Sequence, residues 1–344
     1  ANLYGAYQAL SEARRVRGAL DLELPERRII LDDAGQVTDI VPVVRLDSHR
    51  LIEEFMIAAN VAAARELGKR GQPVMYRVHD EPSLEKLEDL REVLTGFGIT
   101  IARGGISRPG DFNAILARVR GEAHERTVNE LILRAQMQAA YSPDNLGHFG
   151  LGLRDYAHFT SPIRRYADLL VHRALIRGLG LGKGGLADDQ ASRFEELGEH
   201  ISNTERRAIV AERDANDRYT AAFLAGHIGA TFTGIIRGVT RAGLFVAIDD
   251  KGAEGFVPAS RLPGGRPRFD ARTQTIESPG GGTYRMGDAV EIRVSEADGL
   301  RGSSIFDLMD GGATSNARNT HNPRKGRSGR KRPDKRHKRR KQRR

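Results

Sequence analysis

The sequence predicts an α+β protein in which a mixed part of helices and strands gives way, near residue 226, to an all-β part and then to a basic tail. Three observations predict this. Before residue 225, apolar residues recur every three or four positions over several long stretches, as helices with one buried face require. From Gly226 onward, short runs alternate apolar and polar residues with Gly at each reversal, as strands require. Beyond Arg318 the chain carries almost no apolar residues, so it cannot bury a core and is expected to be disordered. The expected units are residues 1–225, 226–310 and 311–344.

Composition bounds the function. A chain of 344 residues, 39% of them hydrophobic, has room for two or three real cores. No apolar run approaches the ~18 residues of a membrane span, and no basic-then-apolar leader opens the chain. We therefore expect no membrane partner and a cytoplasmic location. Cysteine is absent, which removes disulfides and thiolate metal sites. Net charge is +10, yet residues 318–344 hold fifteen Lys/Arg against one Asp, giving +14 and leaving 10 − 14 = −4 for the rest. The tail is thus the basic element, and such tails release counterions on binding polyanions. RNA or ribosome contact is the reading set against a purely solubilising one.

Taken in order, residues 1–17 read as a helix with Leu3, Tyr7, Leu10 and Ala13 in register. It lacks both an initiating Met and a cap, which predicts that a further part precedes it. Gly18–Leu22 and Arg28–Leu31 read as strands, with a turn at Asp32–Gly35. A helix capped by Asp47 or Ser48 runs to Gly68 or Gly71, with Glu53 and Glu54 in early turns where carboxylates suit the helix dipole. A strand at Val74–Val78 precedes His79-Asp80-Glu81, read as a capping turn in preference to a metal site. A helix follows with Leu84, Leu87, Leu90 and Leu94 inward, then helices at Asp111–Arg118 and Thr127–Tyr141. The Gly- and aromatic-rich stretch after Tyr141 reads as a strand passing close to a ligand or another backbone. His148 and His158 lie in it as candidate bases, read here as structural or RNA-contacting. A long helical pattern occupies Asp188–Ala225.

The most informative stretch is A-H-F-T-S-P-I-R-R-Y-A-D-L-L-V-H-R-A-L, residues 157–175. Thr160 or Ser161 would cap a helix with Pro162 at its first position. Arg164 and Arg165 would then stand in the first turn, where the dipole disfavours cations by roughly 0.3–1 kcal/mol each. Free N–H groups and two guanidinium groups at one helix end make a phosphate cradle. The bland alternative is local pairing, such as Arg164 with Asp168.

On the word H-F-T-S-P-I-R-R-Y-x-D-L-x-x-H-R the chain resembles the ribonuclease II/ribonuclease R exoribonucleases, ribonuclease R most of all, in the C-terminal half of their RNB catalytic domain. L-I-E-E-F-M-I-A-A-N-V-A-A-A and E-R-R-A-I-V-A-E-R-D-A resemble two further helices of that family. Residues 227–308 resemble a five-stranded OB barrel of the ribosomal S-one type, with Gly264–Gly282 as its long loop. The resemblance implies a processive 3′→5′ hydrolytic exoribonuclease that acts on single-stranded RNA 3′ ends, uses Mg²⁺ and releases 5′-mononucleotides. It assigns Arg164 to the reacting phosphate, Glu212 to the reacting centre and Glu53 to the terminal ribose. Arg165, Tyr166 and His158 become RNA contacts. Glu212 flanks an apolar seam of Ala208, Ala211 and Ala215, so its carboxylate is expected to lean inward; a helix-surface Glu paired with Arg213 is the alternative. Phe232, Phe245 and Phe256 are candidate stacking platforms, some of which could instead be core; Phe245 is expected to be exposed.

The departures matter as much. The family's metal-binding aspartates, D-x5-D-x-D-D, are missing: Asp32-Asp33, Asp214 with Asp217, and Asp249-Asp250 lack that spacing. Leu22 stands where relatives commonly carry Phe. The metal is therefore expected on aspartates upstream of this chain, which alone would be inactive. The alternative is a non-catalytic single-stranded RNA-binding protein.

Overall fold

The computed structural model describes residues 2–309, apart from residues 25, 103, 123, 249–250, 272 and 281. The expected disordered tail and the pair at 249–250 lie outside the described residues. The fold is α+β, a helix-rich half followed by a closed five-stranded barrel.

Helix α1 (Asn2–Arg17) leads to a hairpin, β1 (Arg27–Leu31) with β2 (Val37–Pro42), joined by the turn read from Asp32 to Gly35. Between them, 18–22 is not a strand as expected. Its backbone is bonded outside any ladder: Leu20 N donates to Gly150 O, and Asp21 N and Glu23 N donate to the side chains of Asn113 and Asn129. Helix α2 (Asp47–Lys69) is preceded by Leu46, whose N–H donates to the His49 ring, so neither Asp47 nor Ser48 is the cap. Strand β3 (Tyr76–Val78) is followed by α3 (Leu84–Thr95), capped by Ser83; Leu90 and Leu94 are buried, but Leu84 is exposed. His79-Asp80-Glu81 is thus not the cap. Helix α4 (Pro109–Val119) precedes α5 (Glu125–Ala135), which stops six residues short of Tyr141. The reason is a competing ladder: β4 (Ala140–Ser142) pairs antiparallel with β3, Tyr141 opposite Arg77.

Helix α6 (Tyr166–Leu179), the short α7 (Asp188–Ala191) and α8 (Phe194–Ala225) complete this half. Helix α8 approaches β4 closely at Gly198, where a Cβ would lie 2.7 Å from Tyr141 O. One turn on, Ser202 Oγ donates to Gly198 O and accepts from Tyr141 N. The other end of α8 packs on the barrel, where Phe223 and Leu224 join its core with Ile40 of β2.

The barrel strands are β5 (Thr231–Thr240), β6 (Gly243–Ile248), β7 (Glu254–Pro258), β11 (Ala289–Asp298) and β12 (Ser303–Leu308), in the spatial order 11-12-7-6-5. The expected long loop instead contains a small antiparallel sheet, β8 (Arg268–Asp270), β9 (Thr275–Ser278) and β10 (Gly282–Arg285). Its Ile276 and Tyr284 are buried in the barrel core, so apolar side chains that a bare loop would expose have a place to go. The halves are also tied by a buried charge pair, Glu130 of α5 with Arg237 of β5 at 3.4 Å, and by Lys251 with Asp39 at 2.6 Å. Among the described residues no helix is long and apolar enough to cross a membrane.

Behind β3 lies a row of rings. His79 Nδ1 accepts from Gly150 N and its Nε2 donates to Met137 O, which fixes a neutral ring. The His79 and His148 rings are 5.0 Å apart, and His148 meets Tyr156 edge-on at 5.2 Å. His148 and His158 are both pushed down to about 3, chiefly by burial, with neighbouring histidine and arginine charges adding to it. Both are neutral when folded and bind a proton on unfolding below the usual histidine value near 6.5. Stability is therefore complete above that pH and is lost as pH falls toward 3, by about 1.4 kcal/mol per unit for each ring. Chemical denaturation at pH 7 and pH 4.5 should show this loss, and His148→Gln should flatten it by about half. An unchanged slope in the variant would contradict the assignment.

Candidate active site and nucleic-acid interface

The loop that leads into α6 differs from its sequence reading. Pro162–Arg164 form a turn rather than a first helical turn, and Arg165 is the residue before the helix. Arg164 N and Arg165 N both donate to Ser161 O. The cause is Asp168, whose side chain is fully buried. One carboxylate oxygen accepts from Ser161 N at 2.8 Å and from Arg165 Nη2 at 2.9 Å, while Arg165 Nε lies 2.8 Å from the other. The carboxylate sits in the first turn, where the helix dipole favours it. The two arginines are therefore not a matched pair at a helix pole. Arg165 is locked inward on Asp168; Arg164 is exposed and has no ion-pair or hydrogen-bond partner for its side chain among the described residues. The local partner foreseen for Arg164 belongs to Arg165. Ile163 beside it is fully exposed, and Tyr166 is 42% exposed.

Beneath this loop a cavity of about 400 Å³ opens against α2. Ile52, Met56 and Ile57 form its apolar side; Glu53, His158 and Arg165 are among its polar lining. Glu53 also lines a second space of about 1070 Å³ that reaches Leu22 and Arg14. Helix α2 thus turns Glu53 toward both spaces and Glu54 inward: Glu54 is 6% exposed and paired with Arg14 at 3.2 Å. Glu53 pairs with Arg45, and with Arg14 at 3.9 Å. Leu22 and Glu53 meet at one space, though 31 residues separate them.

The cavity floor is a hydrogen-bonded network that motif reading missed. Tyr141 Oη and His158 Nδ1 are 2.8 Å apart; Asn60 Nδ2 donates to Tyr156 Oη and Asn60 Oδ1 accepts from Phe159 N. Arg77 lies over the Tyr141 ring at 4.7 Å and pairs with Glu205 at 2.6 Å. Asn60 offered a signal: a lone amide in the run A-A-N-V-A-A-A, on a face too apolar to leave it unbonded. Nothing in the sequence joins Tyr141 or Arg77 to that amide.

Glu212 does not lean inward. Residues 206–219 of α8 are exposed, the alanine seam beside Glu212 included. The side chain lies two turns, about 10.5 Å, beyond Glu205 and on the same helix face. Glu205 faces Arg77, so Glu212 continues that line past the edge of the packed half. Arg213 turns instead to Asp217, at 4.0 Å, and does not pair with Glu212.

On the barrel, Phe245 is 44% exposed and Phe256 half-buried, with ring centres 5.0 Å apart. Phe232 packs against the barrel core near His227, away from that pair. Among the described residues no group of three His, Asp or Glu side chains is placed to hold a metal ion.

The RNB domain model matches residues 1–180 and the S1 RNA binding domain model matches residues 227–308. The chain is 40% identical over 305 residues to ribonuclease R of Aquifex aeolicus, an alignment covering 88% of this chain and 43% of that one. It is 38% identical over 301 residues to ribonuclease R of Escherichia coli, covering 85% and 37%. The chain thus spans about two fifths of the length of these relatives. Among solved structures, Mycoplasma genitalium RNase R in complex with ribose-methylated single-stranded RNA aligns with a TM-score of 0.84 and 29% identity, over 89% of this chain and 49% of that one. With 180 of its 344 residues matched by the RNB model and the S1 model following in the same order, the chain belongs to the RNB-domain family.

Proposed function

We propose that the chain is the C-terminal part of a ribonuclease R-like, processive 3′→5′ exoribonuclease that hydrolyses RNA to 5′-mononucleotides. The observation that carries this reading is the separation of the two arginines. Asp168 neutralises Arg165 and fixes the turn, leaving the Arg164 guanidinium unpaired beside a cavity that Glu53 borders. An exposed, uncompensated guanidinium on a rigid turn suits a phosphate, which it can bind through two parallel N–H donors. In this reading Arg164 holds the scissile phosphate, Glu53 accepts from the terminal sugar, and Phe245 with Phe256 stacks bases that follow. Arg165 and Tyr166 border the strand, with Arg165 contributing through its fixed turn. Glu212, exposed on α8, keeps in this reading the role at the reacting centre that the resemblance gives it. Phe232 contributes to the barrel rather than to stacking.

The resemblance read in the sequence implies Mg²⁺, yet the side chains described here do not fit that ion. Asp214 is paired with Arg218 at 3.0 Å and Asp217 lies 4.0 Å from Arg213. No step through the metal is assigned to this chain; its aspartates belong, in this reading, to a preceding part of the enzyme. The second reading, a non-catalytic single-stranded RNA-binding protein, draws on the S1 RNA binding domain match over residues 227–308. A solved Mycoplasma genitalium RNase R complex with double-stranded RNA supports structured RNA as a further partner class. The basic tail is the segment we assign to structured RNA or ribosome contact, in a cytoplasmic setting.

Four outcomes test these assignments. The chain should bind single-stranded RNA in fluorescence anisotropy yet release no mononucleotide from end-labelled RNA with Mg²⁺; robust release would place a working metal site within it. In the enzyme that contains this chain, Arg164→Ala should lower turnover by orders of magnitude with RNA affinity and melting temperature nearly unchanged. Arg165→Ala should instead destabilise by about 3–5 kcal/mol, because it strands a buried carboxylate. Loss of RNA affinity in step with turnover for Arg164→Ala would reduce that residue to an anchor. Deleting residues 318–344 should flatten the salt dependence of RNA binding; an unchanged slope would leave the tail with another task.

A further inference from the structure

The cavity beneath the Pro162–Arg164 turn has an unusual charge balance. Its two ionic members are already neutralised, Glu53 by Arg45 and Arg165 by Asp168. One wall is apolar, from Ile52, Met56 and Ile57. Unpaired positive charge stands outside, on Arg164. Such a space suits an uncharged sugar and base better than a phosphate, whose place is at the rim.

Two imidazole Nε2 atoms of the lining lack a partner among the described residues, that of the exposed His49, whose Nδ1 accepts from Leu46 N, and that of the inner His158. His158 Nδ1 is 2.8 Å from Tyr141 Oη. Two arrangements share that contact. If His158 donated to Tyr141, the buried phenol would keep an O–H with no acceptor. If Tyr141 donates to Nδ1, both groups are satisfied and the ring carries its proton on Nε2. Burial holds the Tyr141 hydroxyl protonated, its pKa pushed up to about 12. The charges facing His158 are Arg165, Arg77 and Arg164, with His148 adjacent, and together with burial they disfavour a second proton on the ring.

We infer that His158, held by Tyr141 in one tautomer, is a specificity-determining neutral hydrogen-bond donor to a ribose hydroxyl of the nucleotide that enters this cavity. The inference rests on the RNA reading above and adds to it the sugar as the group that is read. A hydroxyl accepts from an imidazole N–H, whereas a deoxyribose carbon offers nothing in its place. Because the donor is neutral, the preference is independent of pH across the range in which free histidine titrates. His158 is then neither acid nor base in the reaction.

The test uses the chain itself and two short oligoribonucleotides that differ only in carrying ribose or 2′-deoxyribose at the 3′-terminal position. Fluorescence anisotropy should show the ribose-ended strand bound about 3- to 10-fold tighter, the ratio one net hydrogen bond supports. That ratio should be equal at pH 5.5 and pH 8. His158→Phe, which keeps a ring among Tyr141 and Tyr156, should bring it to one; Tyr141→Phe, which releases the tautomer, should lower it. An effect on melting temperature alone, with the native ratio intact in both variants, would overturn the inference. So would a ratio that fades as pH rises past 6.5, or a His158-dependent preference for a 3′-phosphorylated end. No binding of either strand by the native chain would sink the RNA reading itself, and this inference with it.

Discussion

The site depends on one buried ion pair. Asp168 has no exposed surface, and its carboxylate meets the Ser161 N–H and the Arg165 guanidinium at once. A lone carboxylate at that depth would be costly, and a lone arginine would have no reason to turn inward. Together they close the chain between Ser161 and the start of α6 into one conformation. Two neighbouring residues of one type thereby acquire opposite roles, since the inward one fixes the geometry and the outward one is left free of local attraction. A helix beginning at Pro162 would have set both side chains on the helix surface and lost that division.

The same logic of satisfied polar atoms runs behind the loop. Asn60, Tyr141, Tyr156 and His158 form a layer between α2, β4 and the 157–165 loop in which nearly every donor has an assigned acceptor. The rings of His79 and His148 extend it toward the Gly147–Gly152 turn. Such a layer holds its shape only while the imidazoles stay uncharged. It couples loop geometry to the packing of α8, because Tyr141 N bonds to Ser202 where the helix comes closest.

Much of this was legible in the residues. Periodicity located most of the helices, alternation located the barrel, and the H-F-T-S-P-I-R-R-Y word pointed to the loop that borders the cavity. What escaped had physical causes. The reading that placed Pro162 at a helix start used local capping rules, but a buried side chain seven residues downstream of Ser161 claims the turn. The helix expected to reach Tyr141 is cut short because β3 offers that segment a ladder. Gly18–Leu22 has the composition of a strand, yet amide side chains from α4 and α5 take hydrogen bonds of this segment and of Glu23 just after it. Glu212 was expected to lean inward because alanines flank it, but apolar neighbours draw a side chain inward only if another surface covers them. The small sheet of the barrel was hidden by a glycine-rich composition that also fits a loop.

Helix α8 packs against both halves. At 32 residues it is a rod of about 48 Å, anchored at one end by Gly198 and Ser202 on β4 and at the other by Phe223 and Leu224 in the barrel core. A single uninterrupted rod resists bending, so it sets the distance between the barrel and the β4 end of the helix-rich half; in the proposed reading it would space the Phe245 and Phe256 rings from the turn that carries Arg164. Its bare middle then borders an open span whose length is set by helical rise rather than by any loop, and the number of nucleotides bridging the two stations would be fixed by the fold in the way a jig fixes the distance between two cuts.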